Sequence, residues 1–153
     1  MSPKKLFNIF AKAEAVTWTL LIAGLIGRSL GMESSILTVV GGIHGAVFLG
    51  YAVTAALVGV NQRWGLGKTT FAVGLAIIPF ATIPFDMRVN KNGSLEGSWR
   101  TSVSDNPMDE GFIDRMFRWF IARPITLIVV LVVGLTALFS LLIFLGPPTE
   151  WFD

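Results

Sequence analysis

The sequence predicts an all-α membrane protein: four transmembrane helices, with an amphipathic interfacial helix before the fourth. Three observations carry that expectation. Hydrophobic residues make up 53% of the chain and charged ones only 14%, where soluble domains hold about a quarter charged. The run from Ile36 to Val60 contains no charged side chain, and an uncharged apolar run of that length reads as a bilayer-crossing helix. Apolar segments also lie on either side of it, bounded by charged or Gly/Pro-containing sequence.

The first segment runs Leu6 to Gly27. Its apolar core, Ala15 to Gly27, is short, with Lys12 and Glu14 just before it, but counted from Leu6 it is long enough to span. The second is Ile36 to Val60. The third, Thr69 to Phe85, is interrupted by Pro79 and Pro84, which favour a kink. The fourth, Ile125 to Leu145, follows Pro124, a good first helical residue, and stops at Gly146-Pro147-Pro148. Between the third and fourth lies a polar stretch, Asp86 to Arg123. Its first part has loop composition, with Asn92-Gly93 an ordinary turn. Its second part opens on Asn106-Pro107 as cap and first turn, with Asp109 and Glu110 following. There Phe112, Ile113, Met116, Phe117 and Phe120 share one helical face, opposite Asp114, Arg115 and Arg118. Such a helix lies in the membrane interface or packs on the protein's own helix ends. The expected organisation is a three-helix membrane domain at 1–88, a polar loop and amphipathic helix at 89–123, and a fourth helix with a short tail at 124–153.

Composition excludes several chemistries. There is no cysteine and one histidine, so disulfides, thiolate nucleophiles and a multi-imidazole zinc site are ruled out. No metal or other cofactor is expected. The formal charge is +2, with basic residues at segment ends, which suits membrane anchors rather than a nucleic-acid face. Lys4, Lys5 and the apolar core imitate a signal peptide, but no small-residue cleavage site follows, so the first helix is read as retained. Gly65 to Thr70, GLGKTT, resembles the tail of a phosphate-binding loop, yet Gln62 stands where that loop needs glycine and a membrane helix precedes it. Asn92-Gly93-Ser94 matches a glycosylation sequon, a three-letter pattern of little specificity. No catalytic constellation is visible, and an enzyme is the least favoured class.

Four crossings would put both termini on one side. Lys4, Lys5, Lys12, Arg63 and Lys68 then face Arg28, Arg88, Lys91, Arg100, Arg115, Arg118 and Arg123, and the positive-inside rule places the termini outside. For helix packing, Gly41 and Gly45 form one small-residue ladder, with Gly42, Ala46 and Gly50 beside it, a pattern that lets membrane helices approach closely. His44 shares its helix face with Tyr51, the only tyrosine. Counted from the connecting loop at about 1.5 Å per residue, Glu14 in the first helix lies about 20 Å deep and His44 about 13 Å, a gap that helix tilt and side-chain length can close for a Glu14–His44 hydrogen bond. Three readings of this polar face stay open: a structural clasp between helices, a site for a small ligand, lipid headgroup or quinone-like molecule, and a proton relay.

Three motifs carry a family resemblance: Ala13 to Trp18 (AEAVTW), Gly41 to Phe48 (GGIHGAVF) and Ile77 to Asp86 (IIPFATIPFD). In their order and spacing the chain, over roughly residues 5 to 88, resembles a small bacterial integral membrane family of unknown function, with a His-Gly dipeptide in the middle of three predicted helices. The resemblance implies that Glu14, His44 and Gly45 are signature positions. It also implies a cytoplasmic-membrane, multi-pass location and, since the domain is occasionally fused to transporter domains, a membrane-protein partner or self-association. Members of this style look actinobacterial, where small multi-span accessory subunits sit on respiratory complexes. The expected function is therefore a non-catalytic accessory or assembly subunit of a larger membrane complex. The alternative is a small carrier or ligand-binding protein using the Glu14, His44 and Tyr51 face.

Overall fold

The computed structural model of the protein describes residues 1–31 and 33–145, and every regular element among them is helical. Two compact units are present, Met1–Arg100 and Thr101–Asp153.

Helix α1 spans Pro3–Ser29. Ser2 caps it by accepting from the Lys5 N–H, and Pro3 occupies the first turn, where its missing N–H removes no bond. Gly31, at φ 91°, takes a left-handed conformation just beyond its end. Helix α2 spans Ser34–Asn61. Their 27 and 28 residues rise about 40 Å each, beyond the ~30 Å of a hydrocarbon core. Both are long and apolar enough to cross a membrane. They pack antiparallel, with contacts stepping from Gly24–Leu37 through Thr17–His44 to Phe10–Gly50 and Phe7–Tyr51.

Of the two glycine ladders, only Gly50 sets that approach. A Cβ at Gly41, Gly42 or Gly45 would meet nothing within 4 Å, whereas one at Gly50 would strike the Phe10 ring and one at Gly24 would sit 3.1 Å from Leu37 Cδ1. Gly42 and Ala46 lie on the exposed side of α2.

The expected third span is not one helix. Helix α3 covers Leu66–Gly74, a 3-10 turn follows at Leu75–Ile77, and helix α4 begins only at Thr82 and ends at Lys91. Pro79 cannot donate to a continuing helix, and Phe80 takes a left-handed φ of 64° that reverses the chain. Pro84 falls in the first turn of α4, where no intrahelical donor is needed. With 9 and 10 residues, α3 and α4 rise about 14 and 15 Å, each roughly half a hydrocarbon core.

Helix α4 then climbs back along α1. Thr82 Oγ1 donates to Ala11 O at 3.1 Å, Asn90 Nδ2 donates to Asn8 Oδ1 at 3.0 Å, and Lys4 meets Glu96 at 2.6 Å. Later residues pair with earlier ones, so the hairpin returns to the end where α1 begins. The stretch that follows closes over that end. Asn61 donates to Ser98 O and accepts from the Arg100 N–H, the Arg100 guanidinium binds the last carbonyls of α2, Trp64 donates to Ser94 O, and Trp99 donates to Met1 O. Leu95 is fully buried in the same core as Phe7, Tyr51, Val58 and Val89. The first unit thus runs to Arg100 rather than ending at 88, because Leu95 and Trp99 contribute to its packing.

The charge count changes with it. Lys4, Lys5, Lys12, Arg63, Lys68, Arg88, Lys91 and Arg100 gather at one end of this unit, and Arg28 stands at the other. The division of charges that placed the termini outside rested on a third crossing, and Thr69–Phe85 does not provide it.

In the second unit a 3-10 turn at Pro107–Glu110 precedes helix α5 (Phe112–Ile121) and helix α6 (Pro124–Leu145). The expected single helix from Asn106 is split because Gly111, not Asn106, caps α5. Phe112, Ile113 and Met116 are exposed as a set, but Phe117 is buried, and so is Arg118, expected on the polar face. Arg118 Nη2 donates to Asp109 O, and the Asp109 carboxylate accepts from the Ser104 N–H and hydroxyl at 2.8 and 2.6 Å. The bend from α5 into Pro124–Ala137 is 106°. By length and composition the described residues hold two clear membrane-crossing helices, and a third if that bent pair counts as one span. Four crossings are not found. The helix stop at Gly146-Pro147-Pro148 and the tail lie outside the described residues.

Candidate functional site

The inner face of α1 is written at helical spacing: Phe7, Ala11, Glu14 and Thr17 are all buried. It meets His44 and Tyr51 from α2 and the broken third segment from its other side. Thr17 Oγ1 lies 3.0 Å from His44 Nδ1 and 3.1 Å from Glu14 O. A hydroxyl has one proton to give. When it goes to Glu14 O, the imidazole must carry its proton on Nδ1, leaving Nε2 as an acceptor. The ring of Trp18 packs against His44 with centroids 4.6 Å apart, and Phe48 follows at 6.4 Å.

The break after α3 frees backbone carbonyls inside an apolar surrounding, where an unmet carbonyl is costly. Tyr51 OH donates to Ala72 O at 3.0 Å, and Trp18 Nε1 donates to Ala76 O at 3.3 Å. Both indole and phenol thus hold the interrupted segment against α1 and α2. This function for Trp18 and Tyr51 has one sequence signal: aromatic donors opposite a proline-interrupted apolar run.

Of the predicted site residues, the structure brings Glu14, His44 and Tyr51 into this one junction but does not bond them to each other. The Glu14–His44 hydrogen bond is not formed, since Thr17, closer in depth, takes the imidazole. Tyr51 turns to α3 instead of toward His44. Glu14 is fully buried, yet neither carboxylate oxygen has a hydrogen-bond partner among the described residues. Gly45 contributes no close contact. No group of three or more metal-ligating side chains forms among the described residues.

A second polar cluster sits at the basic end, unexpected from sequence because a third crossing would put Asp86 to Arg100 on the side opposite the start of α1. Asn90 Nδ2 bridges Asn8 Oδ1 and Asp86 Oδ1, both at 3.0 Å. Burial pushes the Asp86 carboxyl above its usual range, against the opposing pull of the Lys12 charge and the Asn90 hydrogen bond. Two grooves adjoin there along α1. One, of about 660 Å³, is lined by Asn8, Lys12, Asp86, Met87, Arg88, Asn90 and Lys91; the other, of about 390 Å³, includes Lys5 and Ile9.

Comparison with known proteins gives the family. The model of DUF3817, a domain of unknown function, matches residues 4–91, which is α1 through the last residue of α4. A Streptomyces coelicolor protein, named only as a membrane protein, is 35% identical over 91 residues. That match covers 58% of this chain but 11% of the relative, so the chain spans a small part of that protein's length. No solved structure matches.

Proposed function

The chain belongs to the DUF3817 family, and from that premise we propose that it is a non-catalytic integral membrane protein acting as an accessory or assembly subunit of a larger membrane complex. The observation that carries this reading is how the junction uses its polar groups. His44, Tyr51 and Trp18 spend their polar groups on Thr17 and on the carbonyls of the broken segment, which is how interhelical hydrogen bonds fix a packing arrangement. Helix α5 supports it too, since exposed Phe112, Ile113, Met116 and Trp119 call for lipid or a partner to cover them. A respiratory complex is one candidate host.

In this reading α1 and α2 cross the bacterial cytoplasmic membrane, α3 and α4 form a hairpin that enters and returns, and α6 makes a third crossing. The basic end of the first unit is cytoplasmic by the positive-inside rule, which puts the N-terminus inside.

A second reading is favoured by Glu14. A buried carboxyl with two unmet oxygens is expensive in lipid and marks a functional position by default. A small carrier or ligand-binding protein would use it with His44 and Tyr51, with Pro79 and Pro84 allowing motion.

The test is purification of the tagged protein from its own membranes in a gentle detergent, followed by mass spectrometry. A reproducible partner at near-equal amount is expected. A protein that leaves the membrane alone, or only with copies of itself, contradicts the accessory reading. Glu14→Gln and His44→Ala separate the second: partner retention with loss of solute uptake would favour the carrier.

A further inference from the structure

The grooves at the basic end have a chemistry of their own. Lys5 and Lys12 lie seven residues apart on α1, hence on one face, and Arg88 and Lys91 project from α4 beside them. All of them are exposed, and Lys5, Arg88 and Lys91 make no ion pair among the described residues. Lys4, by contrast, is taken by Glu96. The acid within the groove, Asp86, is buried, accepts from Asn90 and feels the Lys12 charge, while Lys5, Arg88 and Lys91 keep their charges for a ligand. Asn8 and Asn90 add amides between the two helices. The walls are also apolar on the outside: Ile9 is 47% and Met87 67% exposed.

We propose that this cleft between the N-terminal half of α1 and helix α4 binds the phosphate headgroup of an anionic phospholipid, with the acyl chains running down past Ile9 and Met87. The charge complementarity selects an anion, and the apolar flank at a membrane boundary selects a lipid over a soluble phosphate. Basic clefts between membrane helices bind such headgroups by the same combination. The inference depends on the side assignment above only for which leaflet supplies the lipid.

The experiment uses the full chain in neutral detergent micelles, titrated with phosphatidylglycerol or phosphatidylcholine, with lipid retained per protein read by native mass spectrometry. Phosphatidylglycerol is expected to be retained preferentially. Arg88→Gln with Lys91→Gln should weaken that retention about 30-fold, from two cations at roughly tenfold or less each. Arg88→Lys with Lys91→Arg should restore it, which excludes a folding defect, and Arg28→Gln at the other end should leave it unchanged. Equal retention of the two lipids, or wild-type retention in the double glutamine variant, overturns the proposal. So does displacement of the lipid by millimolar inorganic phosphate, which would make this a free-phosphate site. Because micelles have no sides, a wrong orientation for the protein would leave these results unchanged and show only in a topology measurement.

Discussion

Helix α2 and the segment from Leu66 to Lys91 both pack against α1, yet one is long and apolar enough to cross a membrane and the other turns back. Helix α2 runs unbroken over 28 residues, so its interior backbone groups are met within the helix and only its last carbonyls draw on an outside donor, Arg100. The hairpin has two prolines, a left-handed Phe80 and a gap of carbonyls, and it persists because α1 and α2 supply what its backbone lacks. Trp18 and Tyr51 cover the carbonyls at the break, Thr82 donates to α1, and Asn8 meets Asn90 at the exit. In a bilayer, an interrupted helix is tolerated only where protein replaces the lost bonds. Hydropathy therefore reports burial in the membrane, while the supply of polar partners decides whether a segment crosses.

That contrast can be broken from either side. The largest effect is expected at Phe7, fully buried, whose ring touches Tyr51 on α2, Trp64 after it and Phe85 on the hairpin. Phe7→Ala should lower stability by about 3–5 kcal/mol, read as loss of the unfolding midpoint in detergent. Next is Gly50→Leu, which forces atoms into the Phe10 ring and should cost about 1–3 kcal/mol. Gly42→Leu, on the open face, is the matched control and should change thermal stability little. Tyr51→Phe tests the hairpin alone: it keeps the ring and deletes the donor to Ala72 O. It should cost about 1–3 kcal/mol and open the amides of residues 72–82 to hydrogen exchange while those of α2 stay protected.

The smallest effect concerns pH. Folding raises the Asp86 carboxyl above its ordinary value of 3.8 through burial. A carboxyl so raised favours the folded state when protonated, so its contribution is full below pH 3.8 and declines as pH climbs toward the folded value. Asp86→Asn, which cannot ionise, should flatten the stability profile over that window. An unchanged slope in unfolding measurements across acidic pH would contradict the assignment.

Much of the first unit was legible from sequence. The uncharged run of α2, the apolar first segment and the motif residues Glu14 and His44 all point to a helical membrane domain, and the family match over 4–91 agrees. What was hidden depends on partners distant in sequence. Nothing near Pro79 says that Trp18 and Tyr51 wait opposite it, so a kink and a reversal look alike. Leu95 in a polar stretch gave no periodic signal, although it is fully buried. His44 pairs with Thr17 rather than Glu14 because residues three apart on α1 differ in depth by about 4.5 Å, finer than a face-by-face reading can resolve. Arg118 was expected on the polar face of an amphipathic helix and instead is buried and donates to Asp109 O, a contact set by the turn before α5.

The central claim is that residues 86–100 share a side with the N-terminus. The chain contains no cysteine, so single cysteines can be introduced as Lys5→Cys, Glu33→Cys and Ser98→Cys and labelled in intact cells with a membrane-impermeant maleimide. The account predicts that Lys5→Cys and Ser98→Cys are both protected until the cells are opened, while Glu33→Cys labels from outside. Labelling of Ser98→Cys together with Glu33→Cys, with Lys5→Cys protected, would mean that the third segment crosses after all.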